Sequence, residues 1–470
     1  MKNNFREQAI DALADKSLRD NFRGAMDFLR DKRQSAFPDS DELDELRKLG
    51  HQIKANTLSR LPDLLEQLED NCTKNGIQVH WAETPEQACE IIHSVIKQHD
   101  GKLAVKGKSM VSEEIALNHY LEARGIESLE SDMGEYIVQL ANETPSHIIM
   151  PAIHKNKEQI AHLFEDKIEG VKYTESVDEL IGTGRRILRE KFFEADIGLS
   201  GVNFAVAETG TLCLVENEGN GRMCTTVPPV HIAITGIEKV VEKLSDIPPL
   251  LSLLTRSATG QNISTYFNMI SSPRKEDEKD GPKEVHLVLL DNGRSRMFQD
   301  ENLQQTLRCI RCGACMNHCP VYSRIGGHAY GTVYPGPIGQ VVMPQIEGLD
   351  KQGEMIEGCS LNGACGEVCP VEIPLPNLIR KLREQKAALP VKQRNEMFAW
   401  AIWKRIYGIP FLYKCFTYTA TRFRHVSPKS MGSWTDYRTA PKPASKTLHE
   451  LIREKEKLTK MQKQAVRGSK

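Results

Sequence analysis

Charge of one sign is missing from this sequence: 62 Lys and Arg stand against 63 Asp and Glu, a formal net charge of -1. That balance gives no field to gather nucleic acid, and it calls for no basic partner either. An apolar leader is missing too, since Met1-Lys-Asn-Asn-Phe-Arg-Glu7 runs directly into charged helical sequence. No secretory signal is expected, and the reading is cytoplasmic. Nor is there a long apolar run. The richest stretch, residues 387–420, holds Phe398, Trp400, Trp403, Tyr407, Phe411 and Phe416, but Lys404, Arg405, Pro410 and Lys414 interrupt it. It is too broken to span a bilayer, which leaves a buried docking helix, or one that meets a partner or a membrane surface peripherally.

Common catalytic spacings are absent as well. His147, His154 and His231 lie near expected strand ends, yet no HExxH-like spacing joins them, and lone histidines are more often structural. Val105-Lys-Gly-Lys-Ser109 follows an expected strand, so Lys106 or Lys108 could meet an anion. It lacks the spacing of a P-loop or a dinucleotide fingerprint, and a solvated turn explains it equally well.

What the chain does have is cysteine, unevenly placed. Seven of the twelve fall in one span as two copies of one pattern: Cys309-Ile-Arg-Cys312-Gly-Ala-Cys315-Met-Asn-His-Cys319-Pro320 and Cys359-Ser-Leu-Asn362-Gly-Ala-Cys365-Gly-Glu-Val-Cys369-Pro370. Three thiolates at spacing three wrap one face of an iron–sulfur cluster, and the fourth, before proline, ligates the other cluster. This crossing assigns Cys309, Cys312, Cys315 and Cys369 to a 4Fe-4S cluster, and Cys359, Cys365 and Cys319 to a second. The second set is one thiolate short, because Asn362 stands where the repeat calls for cysteine and an amide is a poor ligand beside soft thiolates.

Three readings of that site follow, in order of preference. It holds a 3Fe-4S cluster, or a 4Fe-4S cluster with water or another residue at the open corner, or no cluster. Structural zinc is the plain alternative for paired cysteines, but three close cysteines plus a fourth before proline overfill a four-ligand tetrahedron. Gly313 and Gly363, at matching positions, suit the tight loops required. Cys72, Cys89, Cys213, Cys224 and Cys415 are scattered, and each is expected to be a small buried apolar residue.

Around the cysteines the sequence divides into four. Residues 1–75 carry helical periodicity broken at Pro38-Asp-Ser-Asp41, which predicts a helical hairpin with a cap for its second helix. Residues 76–294 alternate short apolar runs, such as Ile77–Trp81, Leu103–Val105, Ile148–Met150, His231–Thr235 and Val285–Leu290, with amphipathic stretches such as 86–98 and 113–124. That rhythm predicts an open α/β sheet, whose binding sites form outside the carboxyl ends of the strands. Residues 295–386 form the α-helical cluster module, with the insert 321–358 as a covering loop and a helix over 373–386. Residues 387–470 form a helical C-terminal region.

Within the α/β part, Glu208 in a Glu-Thr-Gly hinge and the run Asn217-Glu218-Gly-Asn220-Gly-Arg222 stand out. Glu208 could act as acid or base, Arg222 could clamp an anion, and Asn217, Glu218 and Asn220 could bind a cofactor. A hairpin with Asn and Gly turns explains them as well. Asp132, Glu135 and Gln139 could share one helical face and reach a ligand, or face solvent.

Several strings together carry a resemblance: Lys106-Gly-Lys-Ser-Met-Val-Ser-Glu-Glu114, Asp132-Met-Gly-Glu-Tyr-Ile-Val-Gln139, Pro145-Ser-His-Ile-Ile-Met-Pro-Ala-Ile-His154, Gly201 to Thr211, Asn217 to Arg222, Leu289 to Arg294 and both cysteine repeats. The chain resembles the lactate utilization protein B family, the iron–sulfur subunits of a three-protein bacterial L-lactate oxidation system, over essentially its whole length. The resemblance implies a lactate-utilisation domain similar to the sugar-phosphate isomerase and CoA-transferase-like α/β fold, a two-cluster ferredoxin domain and a family-specific C-terminal region. It also implies an electron carrier in oxidation of L-lactate to pyruvate, working with two companion proteins. The family normally has cysteine where this chain has Asn362.

An electron carrier needs no acid, base or nucleophile of its own, because the clusters supply the redox chemistry. The alternative is that the α/β domain is itself catalytic, or binds a carboxylate or CoA-type ligand, at the Glu208 and Asn217–Arg222 loops. A third is a scaffold whose clusters are structural.

Overall fold

The computed structural model describes residues 4–389, 394–428, 430, 435 and 439–468, with residues 4–386 in one unit and the rest in a second. Ten strands carry the first unit: β1 Gln78–Ala82, β2 Leu103–Lys106, β3 Glu127–Glu130, β4 Ile197–Gly201, β5 Phe204–Val206, β6 Thr211–Glu216, β7 Val230–Gly236, β8 Val240–Val241, β9 Tyr266–Ile270 and β10 Glu284–Leu290. Six of them form an all-parallel sheet in the order β1-β10-β7-β4-β2-β3, and four form a second, mixed sheet in the order β8-β5-β6-β9.

The pattern of apolar residues explains the placing. β4 and β7 are buried at every residue, as parallel strands covered on both faces must be. The edge strands β1 and β3 mix buried with exposed positions. Along β2 the side chains divide by parity: Ala104 joins a core with Ile92, Ile197 and Ile232, while Leu103 and Val105 join one with Phe164, Leu188 and Phe192. Helices therefore cover both faces. One, Pro85–Gln98, starts with Thr84 accepting from the Gln87 amide and buries Ala88, Ile92, Val95 and Ile96.

Four departures from the sequence reading have local causes. The N-terminal region is four helices, Phe5–Ala14, Lys16–Ala36, Ser40–Ser59 and Leu61–Lys74, and not a hairpin. Asp39 supplies the cap at the expected break, accepting from the Asp41 and Glu42 amides. Residues 113–124 are two short helices, Met110–Glu114 and Leu117–Glu122, because Ala116 takes a left-handed conformation with φ of 51°. Ile148–Met150 is a turn, not a strand: the His147 Nδ1 accepts the Ile149 and Met150 amides that a ladder would use. The insert 321–358 is more than a covering loop. It contains the helix Gly336–Glu347, almost wholly buried, and the buried Tyr322, Tyr330 and Tyr334.

The N-terminal helices hold the cysteine module against the α/β part. Phe22 packs edge-on to Tyr322 at 5.6 Å, Arg30 Nε donates to the Asn317 carbonyl at 2.7 Å, and Arg47 Nε donates to the Cys369 carbonyl at 3.1 Å. One continuous core runs through these helices, the second sheet and the module.

In the second unit, helices Arg394–Gly408 and Pro410–Arg422 carry Phe398, Trp400, Trp403, Phe411 and Phe416, all exposed. Cys415 is exposed there as well, unlike the other scattered cysteines. A further helix, Leu448–Gly468, covers most of the expected helical tail, whose last two residues fall outside the described ones. Among the described residues no helix is long and apolar enough to cross a membrane.

Beyond the end of β10, Arg294 is buried between two carboxylates. Its Nη1 and Nη2 donate to the two Glu114 oxygens at 2.9 and 2.8 Å, and its Nε donates to Glu238. Burial alone would raise Glu238, but Arg294, Arg311 and Lys239 outweigh it and hold the carboxyl down to about 2. Removing the shared cation while keeping both acids leaves buried unpaired charge, so Arg294→Met should cost about 3–5 kcal/mol in denaturant stability. Because Glu238 is depressed, its contribution is complete above the unfolded value of about 4.3 and is lost as pH falls toward the folded one. The gap in urea midpoint between wild type and Arg294→Met should therefore narrow as pH falls through that window. A constant gap would remove the network from the stability of the fold.

Candidate functional site

The two cysteine repeats fold into two copies of one loop. After Cys309 and after Cys359 the second residue, Arg311 or Leu361, has φ of 60° or 54°, followed by Gly313 or Gly363 at 76° or 94°. Left-handed Arg and Leu are uncommon and cost of order 1–3 kcal/mol each. The conformation turns their amides back onto sulfur: Arg311 N donates to Cys309 Sγ at 3.4 Å and Leu361 N to Cys359 Sγ at 3.3 Å. The fourth cysteines match this, with Tyr322 N on Cys319 Sγ at 3.4 Å and Ile373 N on Cys369 Sγ at 3.3 Å. Amide donors aimed at sulfur favour thiolate over thiol.

Cys309, Cys312, Cys315 and Cys369 surround one hollow, together with Ile148, Ile338 and Ile373. Cys319, Cys359 and Cys365 lie within charge-interaction reach of one another, and Cys315 also feels Cys365, so the two groups adjoin. Burial first, then Cys369 and Cys309, push the Cys312 thiol up to about 12. Thiolates crowded in this way coexist only around compensating positive charge, which iron would provide. The donor set therefore fits the iron–sulfur clusters that its spacing predicts.

The groups differ in exposure. Cys312 and Cys369 are buried, whereas Ser360, Leu361 and Asn362 are exposed, so the position without cysteine faces solvent. By contrast Cys72, Cys89, Cys213 and Cys224 are isolated in the cores, and burial alone or chiefly pushes their thiols up to about 11 or 12. They have no thiolate role.

Next to the first group, outside the carboxyl ends of the parallel strands, lies a cavity of about 290 Å³. Gly107, Lys108 and Ser109 after β2, Asp132 after β3 and Asn203 after β4 line it. Lys239 after β7, Asn217, Glu218 and Asn220 also line it, and Arg311 and Tyr334 close it from the cysteine module. Arg311 and Ile148 border both the cavity and the hollow of the first cysteine group.

The structure thus brings Asn217, Glu218 and Asn220 to one place, but not Glu208 or Arg222. Glu208 lies at the opposite end of β6, where it is exposed and its carboxylate accepts from the Leu244 amide at 2.9 Å. Arg222 is exposed and stands over the Tyr266 ring, 5.9 Å from its centre. Lys106 is 1% exposed, and its ammonium is bound by Glu113, Glu130 and Ser112, so no anion reaches it.

Asp132 caps the helix Met133–Leu140, Gln139 binds the Glu130 amide and Ser128 carbonyl, and Glu135 is buried, its carboxyl pushed up to about 8 by burial and Glu130. His147 is held by Asn317, His154 by Glu143 and His231 by Ser200, all structural contacts. The His/Glu group of metal-like spacing is elsewhere: His99, Glu284 and His286, at the amino ends of the strands.

Lys239 and Arg311 went unremarked in the sequence, although one follows a strand in the expected position and the other sits between two cysteines. Burial lowers the Lys239 ammonium to about 8, against the opposing pull of Glu238. Arg311 lies over the Tyr334 ring at 4.2 Å and 3.5 Å from Glu238, yet its Nη1 is buried without a partner.

Comparison with known proteins agrees with this layout. The LUD domain family matches residues 65–290, a 4Fe-4S dicluster domain matches 305–373, and the family described as lactate utilisation protein B, C-terminal, matches 378–457. A lactate utilization protein B of Bacillus velezensis is 41% identical over 467 residues, covering 96% of this chain and 97% of its own. The chain belongs to the lactate utilization protein B family. Other members from Bacillus subtilis, 44% identical over 85% of this chain and 84% of theirs, and from Geobacillus sp., 41% identical over 97% and 98%, are similar to it as well. Among solved structures, a DUF162 family protein of Deinococcus radiodurans covers 49% of this chain and 98% of its own at 13% identity and a TM-score of 0.29.

If each fourth cysteine crosses to the other site, Cys369→Ser should disturb the EPR signal of the site built on Cys309, Cys312 and Cys315, and Cys319→Ser that of the other. The reverse pattern would overturn the crossing.

Proposed function

We propose that this chain is a cytoplasmic electron-transfer protein in the oxidation of L-lactate to pyruvate, acting with two companion proteins. Cys309, Cys312, Cys315 and Cys369 would hold a 4Fe-4S cluster, and Cys319, Cys359 and Cys365 a 3Fe-4S cluster or a 4Fe-4S cluster with an open corner. Such clusters supply one-electron chemistry when bound. The names of the relatives support the lactate assignment, and the isomerase and CoA-transferase-like reading of the α/β part rests on its parallel sheet.

The observation that carries the proposal is the placing of the two cysteine groups. One is sealed beside the cavity and the other adjoins it with an exposed loop. The residues suit a carrier: Arg47 holds the second turn from outside, Arg311 ties the first turn to Glu238, the apolar wall excludes water, and amides stabilise sulfur charge. Exposed aromatics over 398–418 offer a face to a companion protein, with a membrane surface as the other partner in view.

Asn362 decides the second site. In protein purified without oxygen, Asn362→Cys should replace a three-iron EPR signal by a four-iron one and raise the iron content by about one atom per chain. An unchanged spectrum and iron content would remove the three-iron assignment, and wild-type protein free of iron and sulfide would remove the carrier itself.

A further inference from the structure

The cavity beside the first cysteine group has an imbalance that electron transfer does not use. Each of its carboxylates already accepts at least one hydrogen bond. Glu216 accepts from the Gly221 and Arg222 amides at 2.6 and 2.7 Å and from Asn268 at 2.9 Å. Glu218 accepts from the Met133 amide at 3.0 Å, and Asp132 from the Glu135 amide at 3.1 Å. Lys108 donates to the Ile149 carbonyl at 2.7 Å, but the other two cations of the lining are less fully engaged. Lys239 is 6% exposed and makes no hydrogen bond or ion pair among the described residues, and Arg311, whose Nη2 lies 3.5 Å from Glu238, has its Nη1 buried with no partner. Asn203 uses its carbonyl on the Val215 amide at 2.9 Å, and its amide nitrogen is not engaged among the described residues.

Buried cations are ordinarily paired, because leaving them unpaired forfeits hydration without return. Arg311 is paired with Glu238 and borders the cysteine hollow, whereas Lys239 feels the charge of Glu238 and Cys309 across space and lines the larger cavity with its ammonium unbonded. Three N–H donors, on the β4 and β7 loops and the first cysteine turn, line this one cavity, and Lys, Arg and Asn donors suit the oxygens of a carboxylate. The cavity, at about 290 Å³, has room for an acid of a few carbons and still holds water.

We infer that this cavity is a binding site for a small carboxylate, a 2-hydroxy or 2-oxo acid, held by Lys239, Arg311 and Asn203 against the first cysteine group. The choice of that acid among carboxylates rests on the function proposed above; the site itself rests on the unbonded Lys239 ammonium and the free donors of Arg311 and Asn203. Because Arg311 belongs to both walls, an anion bound there adds negative charge beside the cluster site and disfavours its reduction.

The test uses full-length protein purified without oxygen, titrated calorimetrically with L-lactate and with pyruvate. Wild type should bind at least one of them. Lys239→Met should weaken that binding by about tenfold or more, the range for losing a charge-assisted hydrogen bond. Asn203→Asp is a second variant: it keeps the acceptor for the Val215 amide but sets a carboxylate facing the ligand, so it should weaken binding with iron content unchanged. A redox titration of wild type should show the midpoint of the first cluster moving to lower potential when the acid is present.

Absence of binding by either acid to iron-loaded wild type, equal binding by both variants, or binding of inorganic phosphate alone would overturn the inference. Protein that carries clusters and exchanges electrons but binds neither acid sinks the site and spares the carrier. Protein that binds the acid but holds no iron does the opposite.

Discussion

One buried carboxylate, that of Glu238, is the joint on which the two halves of the first unit meet. It follows β7, the strand at the middle of the parallel sheet, and it lies between Arg294 from the end of β10 and Arg311 from the first cysteine turn. Lys54 of the N-terminal helices donates to its backbone carbonyl at 2.7 Å, and Tyr334 of the insert reaches Glu114, the other acid on Arg294, at 2.7 Å. Arg311 and Tyr334, which close the cavity from the cysteine module, are therefore tied to one network. Such a network is costly to desolvate and severe to break, so it fixes position more than it adds stability. A shift of one partner would move the wall shared by the cavity and the cysteine hollow.

That dependence explains which features could be read from the sequence. The cysteines could, because ligand spacing is local: three residues apart in a tight loop bring sulfurs to one metal whatever the surroundings. The buried strands could, because β2, β7 and β10 are short apolar runs between turn residues, and Asp39 could, as a cap at a break in periodicity. Ile148–Met150 could not, since the same three apolar residues suit a strand until His147 takes their amides. Ala116 gave no sign either, because nothing local makes alanine left-handed. Lys239 and Arg311 belong to this second class. They are distinctive through burial and through donors left free beside the cavity, both products of tertiary structure.

The candidate site shows the same division. Asn217, Glu218 and Asn220 were legible as a turn-rich run at a strand end, and they do reach the cavity. Glu208 was drawn in by its nearness in sequence, but β6 is an extended strand, and six residues of strand separate its two ends by roughly 20 Å. Arg222 lies close by in space and yet turns outward, because the helix that begins at Asn220 buries Asn220, Gly221 and Cys224 and leaves position 222 on its far side.

The two cysteine groups share one loop geometry, down to the left-handed residue after each first cysteine, and differ in what surrounds them. The first is enclosed by the helix Gly336–Glu347, the N-terminal helices and the cavity wall, so water reaches it poorly and buried cations stand beside it. The second lies under the N-terminal Phe5 and Tyr330, whose rings are 5.3 Å apart, and its repeat leaves Asn362 exposed to solvent. In a low-dielectric enclosure an added electron is costly unless positive charge is fixed nearby, and Arg311 provides that for the first group. At the exposed group, water does the same work by reorienting. An electron placed on the buried site is thus sensitive to whatever occupies the cavity, whereas one on the exposed site is sensitive to whatever covers the surface, and the short reach between Cys315 and Cys365 is where the two conditions meet.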